Sequence, residues 1–104
     1  MIADMAVEIE ALRALVYRTA WIIDTGQPHI LEASACKLFG SDVSHRCINR
    51  ALQIHGALGY SRDFEIERGW RDQRITEIYE GTNEIQRIVV AASLFRPYGL
   101  RIPT

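Results

Sequence analysis

Cysteine, proline and one-sided charge are all scarce in this chain, and each scarcity removes a class of protein. The two cysteines, Cys36 and Cys47, stand far apart with no pairing logic. They read as reduced thiols in a cytosolic helix, so the expected location is cytoplasmic. Together with His29, His45 and His55 they form no Cys-x-x-Cys pair and no histidine pair at i, i+4 spacing, and no metal site is expected. Twelve basic residues balance thirteen acidic ones without a long block of either sign. That excludes nucleic acid and anionic membrane as main partners. Every apolar run is broken by charge short of the roughly 18 residues a spanning helix needs. The N-terminus lacks a basic segment followed by an apolar one, so no secretory leader is expected. Neither repeats nor low-complexity stretches occur, and no Ser-His-Asp or Cys-His arrangement can be assembled. Gly56-x-x-Gly59 lacks the lysine that would follow in a phosphate loop and reads as a helix-ending turn.

What the chain does have is helical periodicity. With 104 residues it is expected to form one domain, 1–104, and a chain of that size buries roughly 65% of its unfolded surface. A complete cofactor-and-substrate enzyme would be cramped in it. From Ile2 to about Thr25, the residues Ile2, Met5, Ile9, Leu12, Val16, Ala20 and Ile23 recur at three- and four-residue steps, which predicts one helical face. Gly26 and Pro28 end it. A second helix is predicted from about His29 to about Ala57, with Leu31, Ala35, Leu38, Val43, Cys47, Ala51 and Ile54 as its stripe. Gly40 weakens it by about 1 kcal/mol relative to alanine, and marks a bend or a close approach. Between Gly59 and Gly81 the chain reads as irregular, with one short helix around Glu65 to Arg74. A last helix is predicted from about Thr82 to Phe95, with Thr82 as N-cap and Glu84 in the turn where the dipole favours an acid. The β-branched Ile88-Val89-Val90 would suit a strand, but no second strand exists to pair with it. The fold class is therefore all-α.

Two segments, Ala14–Ile23 and Ile88–Phe95, are apolar nearly all round. Such helices need neighbours on every side. Three helices cannot supply them, so apolar surface is expected to remain for a partner to cover. Trp21 and Trp70 read as core or interface aromatics.

The densest chemistry lies at Ile78-Tyr79-Glu80-Gly81-Thr82. Apolar neighbours disfavour the charge on the Glu80 carboxylate, while the helix start beside it favours that charge. A carboxylate between those influences suits a general base. An acidic residue beside a helix start is also commonly structural, and the residues alone leave both readings open. Arg71-Asp72 reads as an ion pair orienting the loop before Glu80.

Three blocks carry a wider likeness: Ala51-Leu52-Gln53-Ile54-His55-Gly56-Ala57-Leu58-Gly59-Tyr60-Ser61-Arg62-Asp63, then Glu67-Arg68 with Arg71-Asp72, then Ile78-Tyr79-Glu80-Gly81-Thr82-Asn83-Glu84-Ile85-Gln86-Arg87. In order and spacing they resemble the C-terminal helical domain of the flavin-dependent acyl-CoA dehydrogenases, in its short- and medium-chain branch. Ala3-Asp4-Met5 and Ala35-Cys36-Lys37-Leu38-Phe39 fit more loosely. The resemblance implies an up-down helical bundle with one member of the family's four-helix set missing. It implies that Glu80 is the base that takes the α-proton of an acyl-CoA thioester while a hydride leaves Cβ for the flavin. The enolate-like charge on the carbonyl needs stabilisation, which in the family comes from the base's own N–H and a ribityl hydroxyl. Tyr79 and Gly81 match substrate-contacting positions, and Thr82, Asn83 and Glu84 match positions at FAD. Gln53, Ile54, His55, Gly56 and Ala57 match the Gln-Ile-x-Gly-Gly stretch, which meets the adenosine half of FAD bound by a neighbouring subunit.

Departures from the pattern are Ala57 in place of the second glycine, and Gly69-Trp70 in place of an apolar residue and a tyrosine. The family's two upstream domains, and the first helix of this one with its Arg-x-x-Phe-Gly, are not expected in the chain. The expected function is the C-terminal domain of an FAD-dependent acyl-CoA dehydrogenase, inactive alone, acting as a homo-oligomer or with a separately encoded partner subunit. The competing expectation is a non-enzymatic helical interaction module, a decayed remnant that oligomerises through apolar faces.

Overall fold

The computed structural model describes residues 1–99, 101 and 102, so the extreme end of the expected 1–104 domain lies outside the described residues. Five α-helices follow in order: α1 (Ile2–Asp24), α2 (Ile30–His55), α3 (Ala57–Tyr60), α4 (Ile66–Arg74) and α5 (Asn83–Phe95). Short 3₁₀ turns at Ile75–Glu77 and Arg96–Tyr98 extend α4 and α5. No strand occurs among the described residues, as the sequence predicts.

Helix α2 is the axis of the fold, and α1, α4 and α5 all pack on it. Side-chain pairs give their directions. Helix α1 runs antiparallel along the length of α2, with Glu8 against Arg46 and Arg50, and Thr19 Oγ1 3.1 Å from Cys36 Sγ. On another side, α4 and α5 lie end to end, both antiparallel to α2. Helix α4 spans the C-terminal half, from Gly69 against Ile48 to Gln73 on Ser41. Helix α5 begins at Ser41 and Asp42 and runs toward the start of α2, where Ser93 and Arg96 line a hollow with Ile30 and Leu31. The α4–α5 connection, which contains Glu80, therefore sits midway along the central helix.

Within the helices the sequence and the structure differ in phase. The face of α1 that α2 covers is Met5, Glu8, Leu12, Leu15, Thr19 and Ile22. It shares only Met5 and Leu12 with the predicted stripe. Val16 and Ile23 are more than 40% exposed, because Glu8 and Thr19 find polar partners on α2 and so belong to the contact face. Gly40 leaves α2 unbroken and lets Leu12 approach: a Cβ there would stand 3.6 Å from Leu12 Cδ1. Helix α2 ends at His55, within two residues of the predicted end, with Gly56 as its C-cap, and Ala57–Tyr60 forms α3. Gly59 is buried where α3 folds back, and a Cβ would lie 2.9 Å from the Leu52 carbonyl oxygen.

The buried set is thin in apolar groups. Only Ile22 and Val43 are buried hydrophobics among the described residues; Thr19, Ser34, Ser41, Gln73 and Asn83 are buried and polar. Two such apolar side chains contribute on the order of 3–6 kcal/mol. Much larger surfaces stay in solvent. In the two segments that are apolar all round, Tyr17, Trp21, Leu94 and Phe95 are all exposed. Trp70 is 40% exposed as well, so neither tryptophan is a core residue of the isolated chain.

Candidate functional site

The Glu80 turn is built by backbone strain and held by one side chain. The Ile78 and Tyr79 amides both bond to the Ile75 carbonyl, closing the 3₁₀ turn after α4. The chain then reverses through two left-handed residues, Glu80 with φ 54° and Gly81 with φ 83°. A left-handed glutamate is uncommon and costs roughly 1–2 kcal/mol. Among the described residues, Glu80 is the sole non-glycine with positive φ, and such outliers cluster at functional sites. Gln86 Nε2 donates to the Glu80 carbonyl at 3.1 Å and braces the turn from inside. Glycine suits the next position because φ 83° strains any other residue, and a Cβ on Gly81 would also push on that same Nε2 at 2.7 Å. Thr82 then caps α5 as predicted, its Oγ1 accepting the Ile85 N–H. The Glu80 N–H forms no hydrogen bond among the described residues. Glu80 is exposed, and Ile78 and Tyr79 beside it are 51% exposed. The desolvating setting expected around the carboxylate is therefore not formed by the described residues: Glu80 stands in solvent. Glu84 is held below the usual carboxylate range by its own N–H and by Thr82 at the helix start.

Both ends of this turn are fastened to α2. On the incoming side, Glu77 accepts from His45 Nδ1 at 2.7 Å, from Arg74 and from Gln73. A carboxylate can only accept, so His45 Nδ1 carries the proton of that bond. Gln73, buried, also donates to the Ser41 carbonyl at 3.2 Å. On the outgoing side, Asn83 is 3% exposed. Its Oδ1 accepts from Lys37 Nζ and Ser41 Oγ, both at 2.9 Å, and its Nδ2 donates to Asp42 at 3.1 Å. Arg87 reaches the other Asp42 oxygen at 3.4 Å.

Glu77 makes this arrangement pH-sensitive. Partial burial pushes its carboxyl upward, but hydrogen bonds from Gln73 and His45 and the charges of Arg74 and His45 outweigh that, and the net position lies below the ordinary value of 4.5. A carboxyl depressed in the folded state stabilises it fully above the unfolded value, and that contribution is lost as pH falls through the folded value. The melting-temperature gap between the parent and Glu77→Gln should therefore close as pH falls below the ordinary value of 4.5 and through the depressed folded value. A gap of constant size across that window would rule this out.

The expected Arg71–Asp72 ion pair does not form. Arg71 instead pairs with Glu67, four residues earlier on α4, because consecutive helical residues point apart while i, i+4 residues face each other. The fastening residues Lys37, Ser41, His45, Gln73 and Glu77 carry no motif that marks them as site residues. One signal for them exists: Lys37, Ser41 and His45 recur every four residues, a polar line on a helix otherwise read as core.

The second group of expected site residues lies elsewhere. Gln53, Ile54, His55, Gly56 and Ala57 are all exposed at the far end of α2. Eleven residues separate Gln53 from Asp42, about 16 Å along the axis. Tyr79, Gly81, Thr82, Asn83 and Glu84 cluster with Glu80, whereas the Gln53–Ala57 stretch stands apart, near a cleft of about 490 Å³ lined by Asn49, Leu52, Tyr60 and Trp70.

Comparison with known proteins gives this geometry a context. The acyl-CoA dehydrogenase C-terminal domain model matches residues 1–95. A probable acyl-CoA dehydrogenase of Bacillus subtilis is 45% identical over 95 residues, which is 91% of this chain and 25% of that protein. The human mitochondrial short-chain specific acyl-CoA dehydrogenase is 46% identical over 97 residues, 93% of this chain and 24% of that one. The three-dimensional structure of butyryl-CoA dehydrogenase from Megasphaera elsdenii superposes with a TM-score of 0.87 at 45% identity, over 90% of this chain and 24% of that one. The chain thus spans about a quarter of the length of these relatives. With an all-helical fold, a strained glutamate turn and a match across nearly its whole length, the chain belongs to the acyl-CoA dehydrogenase family of FAD-dependent oxidoreductases.

Proposed function

We propose that this chain supplies the proton-abstracting base and part of the FAD shelf of an acyl-CoA dehydrogenase, with the rest of the flavin pocket built by polypeptide beyond these residues. The Glu80 turn carries this reading. A left-handed glutamate braced by Gln86 presents an exposed carboxylate and, in the same residue, an N–H without a partner among the described residues. Those are the two groups needed at the α-carbon and carbonyl of a thioester. The carboxylate takes the α-proton, and the N–H donates to the carbonyl oxygen as charge develops there. Tyr79 and Gly81 flank that position as substrate contacts, with the Tyr79 ring half exposed and free to cover an acyl chain.

The residues present also fit FAD. The start of the thirteen-residue α5 presents the positive end of the helix dipole, which favours an anionic group nearby. Thr82 and Glu84 stand there, with the Asn83 backbone between them. At the other end of α2, Gln53–Ala57 are exposed, and open space lies where a Cβ on Gly56 would project, so a cofactor can approach that backbone closely. The separation of the two groups along α2 suits their serving two flavins, one from each of two adjacent subunits. FAD, when bound, accepts the hydride that leaves the β-carbon.

The test is a visible spectrum of the protein that contains this chain, isolated gently from its own cells and titrated with short-chain acyl-CoA. Flavin absorbance that bleaches on titration is the expected result. A colourless assembly that acyl-CoA leaves unaltered would refute the reading and favour the helical interaction module.

A further inference from the structure

We infer that Asn83 is a positioning residue: its buried side chain, locked between Lys37, Ser41 and Asp42 of α2, sets where the Glu80 carboxylate stands. The inference rests on the reading of Glu80 as base and concerns how that base is held. The turn has five residues, 78–82, between two posts. One post is Glu77, fastened by His45, Gln73 and Arg74, and the other is Asn83. Ser41 serves both, its hydroxyl to Asn83 and its carbonyl to Gln73. A short turn between fixed ends has little freedom, so a strained φ at Glu80 can persist only while both posts hold.

The polarity of the Asn83 clasp is dictated by its partners. Lys37 Nζ can only donate, so it selects Oδ1; the Asp42 carboxylate can only accept, so it selects Nδ2. The Ser41 hydroxyl lies 2.9 Å from Oδ1 and within 3.0 Å of the Lys37 and Leu38 carbonyls. Its single proton has those three acceptors within reach, so Lys37 and Asp42 are what fix the orientation of the amide. Each amide atom of Asn83 thus has a defined complement, and only an asparagine-shaped group meets both. The FAD contact expected at this position then falls to the Asn83 backbone and to Thr82 and Glu84.

The polarity supplies its own test. Asn83→Asp sets a second carboxylate 3.1 Å from Asp42 while leaving the Lys37 and Ser41 contacts acceptable. Adding Asp42→Asn restores a donor across the same gap. In the full chain, amide hydrogen exchange at Ile78 and Tyr79, the hydrogen-bonded amides within 78–82, should rise about tenfold in Asn83→Asp and return in the double variant. In the flavin-loaded assembly the rate of flavin reduction should fall about tenfold and recover in the double variant, with acyl-CoA affinity unchanged. Unchanged exchange at Ile78 and Tyr79, or a double variant that does not restore it, overturns the inference. Should Asn83→Asp loosen α1 as well, Ser41→Ala decides: a rise confined to Ile78 and Tyr79 supports the clasp, and none overturns it. If Glu80 is not the base, Glu80→Gln leaves flavin reduction intact while the exchange result stands, so the two failures are distinguishable.

Discussion

Glu80→Gln should lower acyl-CoA-driven flavin reduction by about 10²–10⁴-fold, the usual contribution of a general base. Glutamine keeps the length and shape of the side chain, and the turn is held by the Gln86 bond to the backbone carbonyl rather than by the carboxylate. FAD content and acyl-CoA affinity should therefore change little, so that the loss falls on the chemical step. Stopped-flow bleaching of the visible flavin band separates the step from binding. A variant that bleaches at the parent rate would remove Glu80 from the mechanism, whatever the family likeness.

The second large effect belongs to a residue with no side chain. Gly81→Val combines two penalties at one position. A β-branched residue at φ 83° is a genuine outlier, and its Cβ would press on Gln86 Nε2 at 2.7 Å. The turn must open, either by moving Gln86 off the Glu80 carbonyl or by rotating Gly81 out of the left-handed region. Either route re-aims Glu80. The expected cost to folding is about 1–3 kcal/mol, read as a lower melting temperature, and flavin reduction should fall by at least about a hundredfold, the penalty of misplacing a reacting group by about 1 Å. Full activity in Gly81→Val would mean that the turn's geometry is irrelevant to the reaction.

Much of the helical layout was legible because it depends on local chemistry. Thr82 reads as an N-cap from its place before an apolar run, and it caps α5 through its own hydroxyl. Gly26 and Pro28 follow the end of α1 for reasons that need no tertiary context. The phase of α1 was not legible. Periodicity weighs residues by hydrophobicity, while the contact face includes Glu8 and Thr19, whose burial depends on Arg46, Arg50 and Cys36 across the interface. Arg71 is a different case: it pairs with Glu67 one turn back on the same helix, a local i, i+4 relation that a reading of adjacent residues misses.

By itself the amino-acid sequence determined the fold class, the position of the caps and the identity of the glutamate worth testing. Each follows from neighbours within a few residues or from a motif that keeps its spacing. Only the tertiary structure decided that Glu80 lies midway along α2 in a left-handed conformation, with both ends of its turn tied to that helix. That placement comes from pairs more than thirty residues apart, His45 with Glu77 and Ser41 with Asn83. Long-range polar pairing leaves no periodic trace along a chain, because a buried polar group is selected by the partner that satisfies it.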